Sequence, residues 1–174
     1  MPKFDQFAVA LTSILPRDLA EAVVDAKMPG LDGGPANQDL AERLLQVSKS
    51  DWAEIHHQPR ALAESGLWLL AGDLERSHSI SQSIETASGS FWHGIMHRRE
   101  CDFGNAKYWF RRVGQHPSFS VISEQSSGDY SDPIDFVDAC ERAQRRSGES
   151  LEICKNAQWI EWEALMLHSL SPKS

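Results

Sequence analysis

The chain has 174 residues, of which 41% are hydrophobic and 24% charged, and its formal net charge is −8. This length and composition predict a single globular domain, residues 1–174, that is large enough to bury a core of its own. The negative charge disfavours bulk binding to nucleic acid or to an anionic membrane surface.

The cysteine count and the N-terminal sequence further limit the class of protein to which the chain can belong. There are three cysteines, Cys101, Cys140 and Cys154, and no two lie close together in the sequence. An odd number without zinc-type spacing argues against a disulfide framework or a cysteine-based zinc site and predicts a reducing, cytoplasmic setting. The apolar run at 7–15 is too short to span a bilayer, and no small-residue cleavage site follows it, so neither a membrane anchor nor a signal peptide is expected.

Helical periodicity recurs along the chain and divides it into three parts. In residues 1–58 we predict helices over about 5–15, 16–26 and 39–47, with the glycine-rich loop PGLDGGP at 29–35 between the last two. In residues 59–118 we predict helices over about 60–71, 74–84, 89–100 and 103–113. In residues 119–174 a loop to about 132 precedes helices over about 133–147 and 151–170. No segment alternates with period two, so the prediction is an all-α bundle or short repeat-like solenoid of about seven helices.

The segment 89–117, GSFWHGIMHRRECDFGNAKYWFRRVGQHP, combines aromatic, imidazole and guanidinium groups. It is typical of two helices joined by a tight turn, with Ser88 or Ser90 as the predicted cap of the first helix and Asp102 or Asn105 as that of the second. A rotation of about 100° per residue sorts its side chains. His93, His97 and Glu100 share a face opposite the apolar stripe of the first helix, whereas Arg99 falls within that stripe. Tyr108 is expected to face outward from the second helix. An arginine in an apolar stripe must extend to solvent or find a partner.

Part of this segment resembles a tetratricopeptide unit, because Gly94, Phe103, Ala106, Phe110 and Pro117 match that motif. The period is shorter than that of the true repeat, so we expect only a stack of helical hairpins with repeat-like geometry.

A longer run is similar to a family of helical proteins of bacteria and fungi with the signature FWHxIMHRRExDxxNxKYWFRRVGxHP. The resemblance covers about residues 60–118 well and the tryptophan stretch 158–163 more loosely. It implies no reaction, and Cys101 stands where proline or glycine is expected. It implies that the signature comprises Asp73, His78, His93, His97, Arg98, Arg99, Glu100, Asp102, Asn105, Lys107, Tyr108, Trp109, Arg111, Arg112 and His116.

Two functional hypotheses follow from the residue types. Between positions 97 and 112 there are five Lys or Arg residues against two acids, which favours an anionic ligand in an otherwise acidic chain. The leading hypothesis is therefore a binding module with a polar groove, between the helices at 74–84, 89–100 and 104–114, for a small anionic ligand or an acidic peptide of a protein partner. Its candidate binding residues are His78, Arg98, Arg99, Lys107, Tyr108, Arg111 and Arg112.

The alternative is a divalent-metal protein or metal-dependent enzyme. His93, His97 and Glu100 are spaced i, i+4 and i+7, which suits metal ligation, and Glu75-x-x-His78 offers further ligands from a facing helix. A third hypothesis is a purely structural network in which the arginines and histidines are all satisfied internally, the arginines by Asp73, Glu75, Glu100 and Asp102. The sequence names no catalytic residue and does not define the oligomeric state.

Overall fold

A computed structural model describes residues 4–47, 51–52, 57–146 and 148–171. These residues form ten α-helices and no β-strand, so the all-α prediction is confirmed. None of the helices in the described ranges combines the length and apolar character needed to cross a membrane. The helices are α1 (Phe7–Thr12), α2 (Arg17–Asp25), α3 (Gln38–Gln46), α4 (His57–Ala71), α5 (Leu74–Ser81), α6 (Ala87–Arg99), α7 (Phe103–Val113), α8 (Ser118–Gln125), α9 (Pro133–Gln144) and α10 (Glu149–Leu170).

The predicted number of about seven helices is too low. The nine segments with helical spacing each contain one helix, and the tenth helix, α8, lies in the segment predicted to be a loop. That segment is rich in serine and short of apolar residues, but a two-turn helix needs few anchors. Ile122 is fully buried and Phe119 packs against the core, and these two side chains hold α8 in place. Tyr130, in the same segment, is also buried.

The turn between α6 and α7 is closed by capping interactions. Cys101 adopts a left-handed conformation with φ of +63° after the end of α6. The backbone N–H groups of Cys101 and Asp102 donate to the carbonyls of Arg98 and His97, which is the Schellman pattern of a helix end. The Asp102 side chain then accepts from the N–H of Asn105 and begins α7, so Asp102 is the cap of the two that the sequence offered. The left-handed conformation explains why glycine was expected at Cys101.

The start of α6 differs from its prediction. We expected Ser88 or Ser90 to cap this helix, but the side chain of Thr86 accepts from the N–H of Gly89 at 3.1 Å. Both serines lie inside α6 and are buried. The helix therefore begins earlier than the apolar pattern alone indicates.

Helices α4, α6 and α10 cross at the centre of the core. A Cβ on Gly66 of α4 would lie 2.6 Å from the Trp92 ring of α6, so only glycine allows this close approach. Trp92 donates through Nε1 to Ser169 at 3.1 Å, and Trp162 donates to the Gly66 carbonyl at 2.8 Å. Every residue of α6 from Ser88 to Arg99 is buried, because α4, α5 and α7 pack around it.

Candidate metal centre

Three imidazoles converge between α5 and α6. His78 comes from α5, and His93 and His97 lie one turn apart on α6. One candidate ligand atom from each residue lies within 4.8 Å of the other two. Nitrogens around a tetrahedral zinc lie about 3.3 Å apart, a separation that follows from the usual Zn–N bond length. The separations in the cluster therefore exceed those around a bound zinc ion by at most about 1.5 Å.

A serine fixes the orientation of His93. Nδ1 of His93 lies 3.0 Å from Oγ of Ser81, and that hydroxyl has the Ser77 carbonyl as an acceptor at 2.8 Å. A hydroxyl has one proton, so when Ser81 donates it to the carbonyl, its oxygen accepts from Nδ1–H of His93. This arrangement leaves the Nε2 lone pair of His93 free, which is the form of histidine that binds metal.

Glu100 contacts His97 through the same ring position. Its Oε2 lies 3.3 Å from Nδ1 of His97, at an angle short of a well-formed hydrogen bond. The side chain of Glu100 is 42% exposed, whereas His97 is buried. Glu100 is not part of the three-histidine cluster. The structure therefore places His78, rather than Glu100, beside His93 and His97, and Glu100 contacts His97 from outside the cluster.

Burial keeps the two histidines of α6 neutral. Removal from solvent, together with the nearby rings of His97 and His78, lowers the pKa of His93 to about 3. Burial also lowers the pKa of His97, although the carboxylate of Glu100 opposes that shift. A neutral imidazole keeps a lone pair for a metal, and no proton has to be displaced at neutral pH.

One side chain of α7, Trp109, contacts the cluster, and two others, Tyr108 and Arg112, contact Trp109. The ring of Trp109 lies 4.1 Å from that of His93, centroid to centroid. The guanidinium of Arg112 stacks 5.1 Å from the Trp109 ring and 5.9 Å from the Tyr108 ring. Tyr108 is 49% exposed, so its predicted outward position is confirmed. Arg111 is also exposed.

Two of the arginines predicted to bind a ligand are buried inside the core. Arg98 pairs with Glu161 of α10 through both terminal guanidinium nitrogens, Nη1 at 3.0 Å and Nη2, and stacks 4.7 Å from the Phe136 ring. Arg99 donates to the backbone carbonyls of Leu69 and of Gly33, the latter at 3.0 Å. Neither side chain is accessible to a ligand in solution.

The acids expected to pair with these arginines have other contacts. Asp73 caps α5 and pairs with Arg76 at 2.9 Å, and Asp102 caps α7. Glu75 is exposed and lies outside the histidine cluster. Lys107, another predicted binding residue, forms an ion pair with Asp138 of α9. Four of the seven predicted binding residues remain on the solvent side or at the histidine cluster: His78, Tyr108, Arg111 and Arg112.

The glycine-rich loop packs against the buried arginines rather than over the histidines. Gly33 accepts from Arg99, and the carbonyls of Pro29 and Gly30 accept from Nε2 of Gln158 at 3.3 Å each. Leu31 is buried in the core. Sequence reasoning did not identify Gln158 and Glu161 as partners. The feature that could have pointed to a buried ion pair is the presence of two acids within the tryptophan stretch QWIEWE.

No family model, curated protein or solved structure matches the chain. The likeness to the helical family and to the tetratricopeptide unit therefore stays a prediction. A function is therefore inferred from the arrangement of the side chains. Three imidazoles have candidate ligand atoms within 4.8 Å of one another, and two of these imidazoles are kept neutral by burial. Trp109 contacts the cluster, and Arg112 stacks on Trp109.

Proposed function

We propose that the protein binds one divalent transition metal ion, of the class of zinc, through the imidazoles of His78, His93 and His97. The observation that carries the proposal is the convergence of three candidate ligand atoms within 4.8 Å of one another. Imidazole nitrogen is a preferred ligand of zinc and of neighbouring transition metals, and it is a poor ligand of magnesium and calcium.

The ligand number indicates what kind of metal site this is. Structural zinc sites usually have four protein ligands, whereas catalytic sites have three and keep one position for water or substrate. The cluster offers three ligands in the described part of the chain. A metal bound here would act as a Lewis acid on a molecule in the fourth position. This property supports the metal-dependent hypothesis over a purely structural role for the histidines.

The test is the metal content of the protein purified without an affinity tag and without added metal, measured by elemental mass spectrometry. We expect close to one zinc or similar ion per chain, and we expect its loss in His93→Ala and His97→Ala. His57→Ala is the matched control, because His57 is exposed at the start of α4 and lies outside the cluster. Circular dichroism of each variant shows whether it remains helical.

A metal-free protein that also fails to take up Zn²⁺ or Co²⁺ in a calorimetric titration would contradict the proposal. Equal metal content in His57→Ala and wild type, with none in His97→Ala, would assign the metal to the cluster.

A second candidate function is the binding of a small anion or an acidic peptide. It is favoured by Arg112, which stacks on two aromatic rings and makes no ion pair with an acid of the described residues. The burial of Arg98 and Arg99 restricts this candidate to the outer surface of α7. The purely structural hypothesis applies best to these two buried arginines.

A further inference from the structure

The charges around the cluster are unequally distributed. Three neutral imidazoles leave the full double charge of a bound metal uncompensated by its ligands. Glu100 lies 3.3 Å from Nδ1 of His97, and the carboxylate of Asp102 also acts on that histidine. His93 instead contacts the hydroxyl of Ser81 and the ring of Trp109, neither of which carries a charge. A bound metal is therefore least compensated on the His93 side.

The same side has an arginine that no acid of the described residues neutralises. The Arg112 guanidinium is exposed, and it is held against Trp109, the ring that also contacts His93. Its only hydrogen bond to a side chain in the described part of the chain is a long one, 3.4 Å, to the hydroxyl of Tyr108. A guanidinium stacked on aromatic rings loses little freedom when its N–H groups bind a ligand, and its fork of donors matches an oxyanion.

From these observations we propose that a small oxyanion of the phosphate class occupies the fourth position of the metal and that Arg112 recruits it. This inference rests on the proposed metal centre and names the class of ligand that the centre would take. The anion neutralises the charge that the three imidazoles leave, and Arg112 supplies the donors on the outer side.

The experiment uses the full chain loaded with Co²⁺, whose visible absorption reports its coordination, and inorganic phosphate as the probe. We expect phosphate to change the Co²⁺ spectrum with a saturable dependence. In Arg112→Gln we expect a phosphate dissociation constant at least about tenfold higher, with Co²⁺ binding unchanged, because the bidentate contact is lost. Arg111→Gln is the matched control, since Arg111 is the exposed neighbour on the same helix.

The possible outcomes separate the two proposals. A protein that binds no Co²⁺ overturns both the metal centre and the oxyanion ligand. A protein that binds Co²⁺ but whose spectrum does not respond to phosphate overturns the oxyanion ligand alone. Equal weakening of phosphate binding in Arg111→Gln and Arg112→Gln would show a general effect of charge and would overturn the specific role of Arg112.

Discussion

At the scale of single residues, the histidines of α6 differ in the group that lies next to Nδ1 of the ring. For His93 this group is the neutral hydroxyl of Ser81, and for His97 it is the carboxylate of Glu100. Such partners fix the ring orientation and, when charged, increase the basicity of the nitrogen that binds the metal. We therefore expect the affinity for metal to depend on Glu100 even though it is not a ligand.

We predict that Glu100→Ala weakens Zn²⁺ binding about 10- to 100-fold, the usual effect of removing a group that supports a metal ligand. Glu100→Gln should recover part of the loss, since its amide oxygen accepts a hydrogen bond from His97 but has no charge. Competition with a chromogenic chelator measures the dissociation constants. Glu124→Ala, at an exposed site on α8, is the control. Wild-type affinity in Glu100→Ala would show that Glu100 does not orient His97.

At the scale of helices, a buried ion pair joins α6 to α10. Both side chains, Arg98 and Glu161, are fully buried. The charges attract each other strongly where water is absent, but each has lost its hydration on folding. The pair therefore contributes little net stability, while the loss of either member leaves a buried charge without a partner.

We predict that Arg98→Met lowers the free energy of unfolding by about 3–5 kcal/mol. The double variant Arg98→Met, Glu161→Leu should recover most of that loss, because no unpaired charge remains. Urea unfolding of the metal-free proteins measures both effects. As a control, Arg145→Met breaks an exposed pair with Glu141 and should change the free energy by no more than about 1 kcal/mol. A small effect of Arg98→Met would show that Glu161 is compensated by another group.

The sequence predicts single helices better than it predicts the contacts between them. The spacing of apolar residues and the cap at Asp102 predicted α7 correctly, and the apolar stripe correctly contained Arg99. The same spacing put His93 and His97 on the face opposite the stripe of α6, but it did not show that α5 and α7 cover that face. The partner of Arg98 lies 63 residues away in the sequence, so no local pattern identified Glu161.

At the scale of the whole molecule, the core holds the histidine cluster in position. Helix α6 has almost no exposed surface, and Trp92, next to His93 in the sequence, is fixed between α4 and α10 by its contacts with Gly66 and Ser169. A helix enclosed in this way cannot rotate about its axis without disrupting the core packing. The ligands from α6 are therefore preorganised, which favours a defined coordination geometry. His78, on the more exposed α5, is the ligand with more freedom.

The stability of the whole molecule should depend on pH through a second histidine site. His116 is buried, its Nδ1 accepts from the backbone N–H of Ser118 at 3.2 Å, and its Nε2 lies 3.1 Å from Oγ of Ser88. Burial first, and then the ring of His168 at 4.6 Å, lower the pKa of His116 to about 4. Protonation would place a hydrogen on Nδ1 against the N–H of Ser118 and break that hydrogen bond.

The folded protein thus holds His116 neutral, whereas the unfolded chain protonates it below about pH 6.5. Since the pKa is lower in the folded state, the stabilisation is complete above pH 6.5 and is lost as the pH falls towards 4. We predict that wild type loses about 3 kcal/mol more free energy of unfolding across this interval than His116→Asn, which cannot titrate. Urea unfolding of the metal-free proteins at a series of pH values measures the difference. The contributions of the other buried histidines to the free energy of unfolding are the same in both proteins and cancel in the comparison. Parallel pH profiles would mean that His116 is protonated as easily in the folded state as in the unfolded chain.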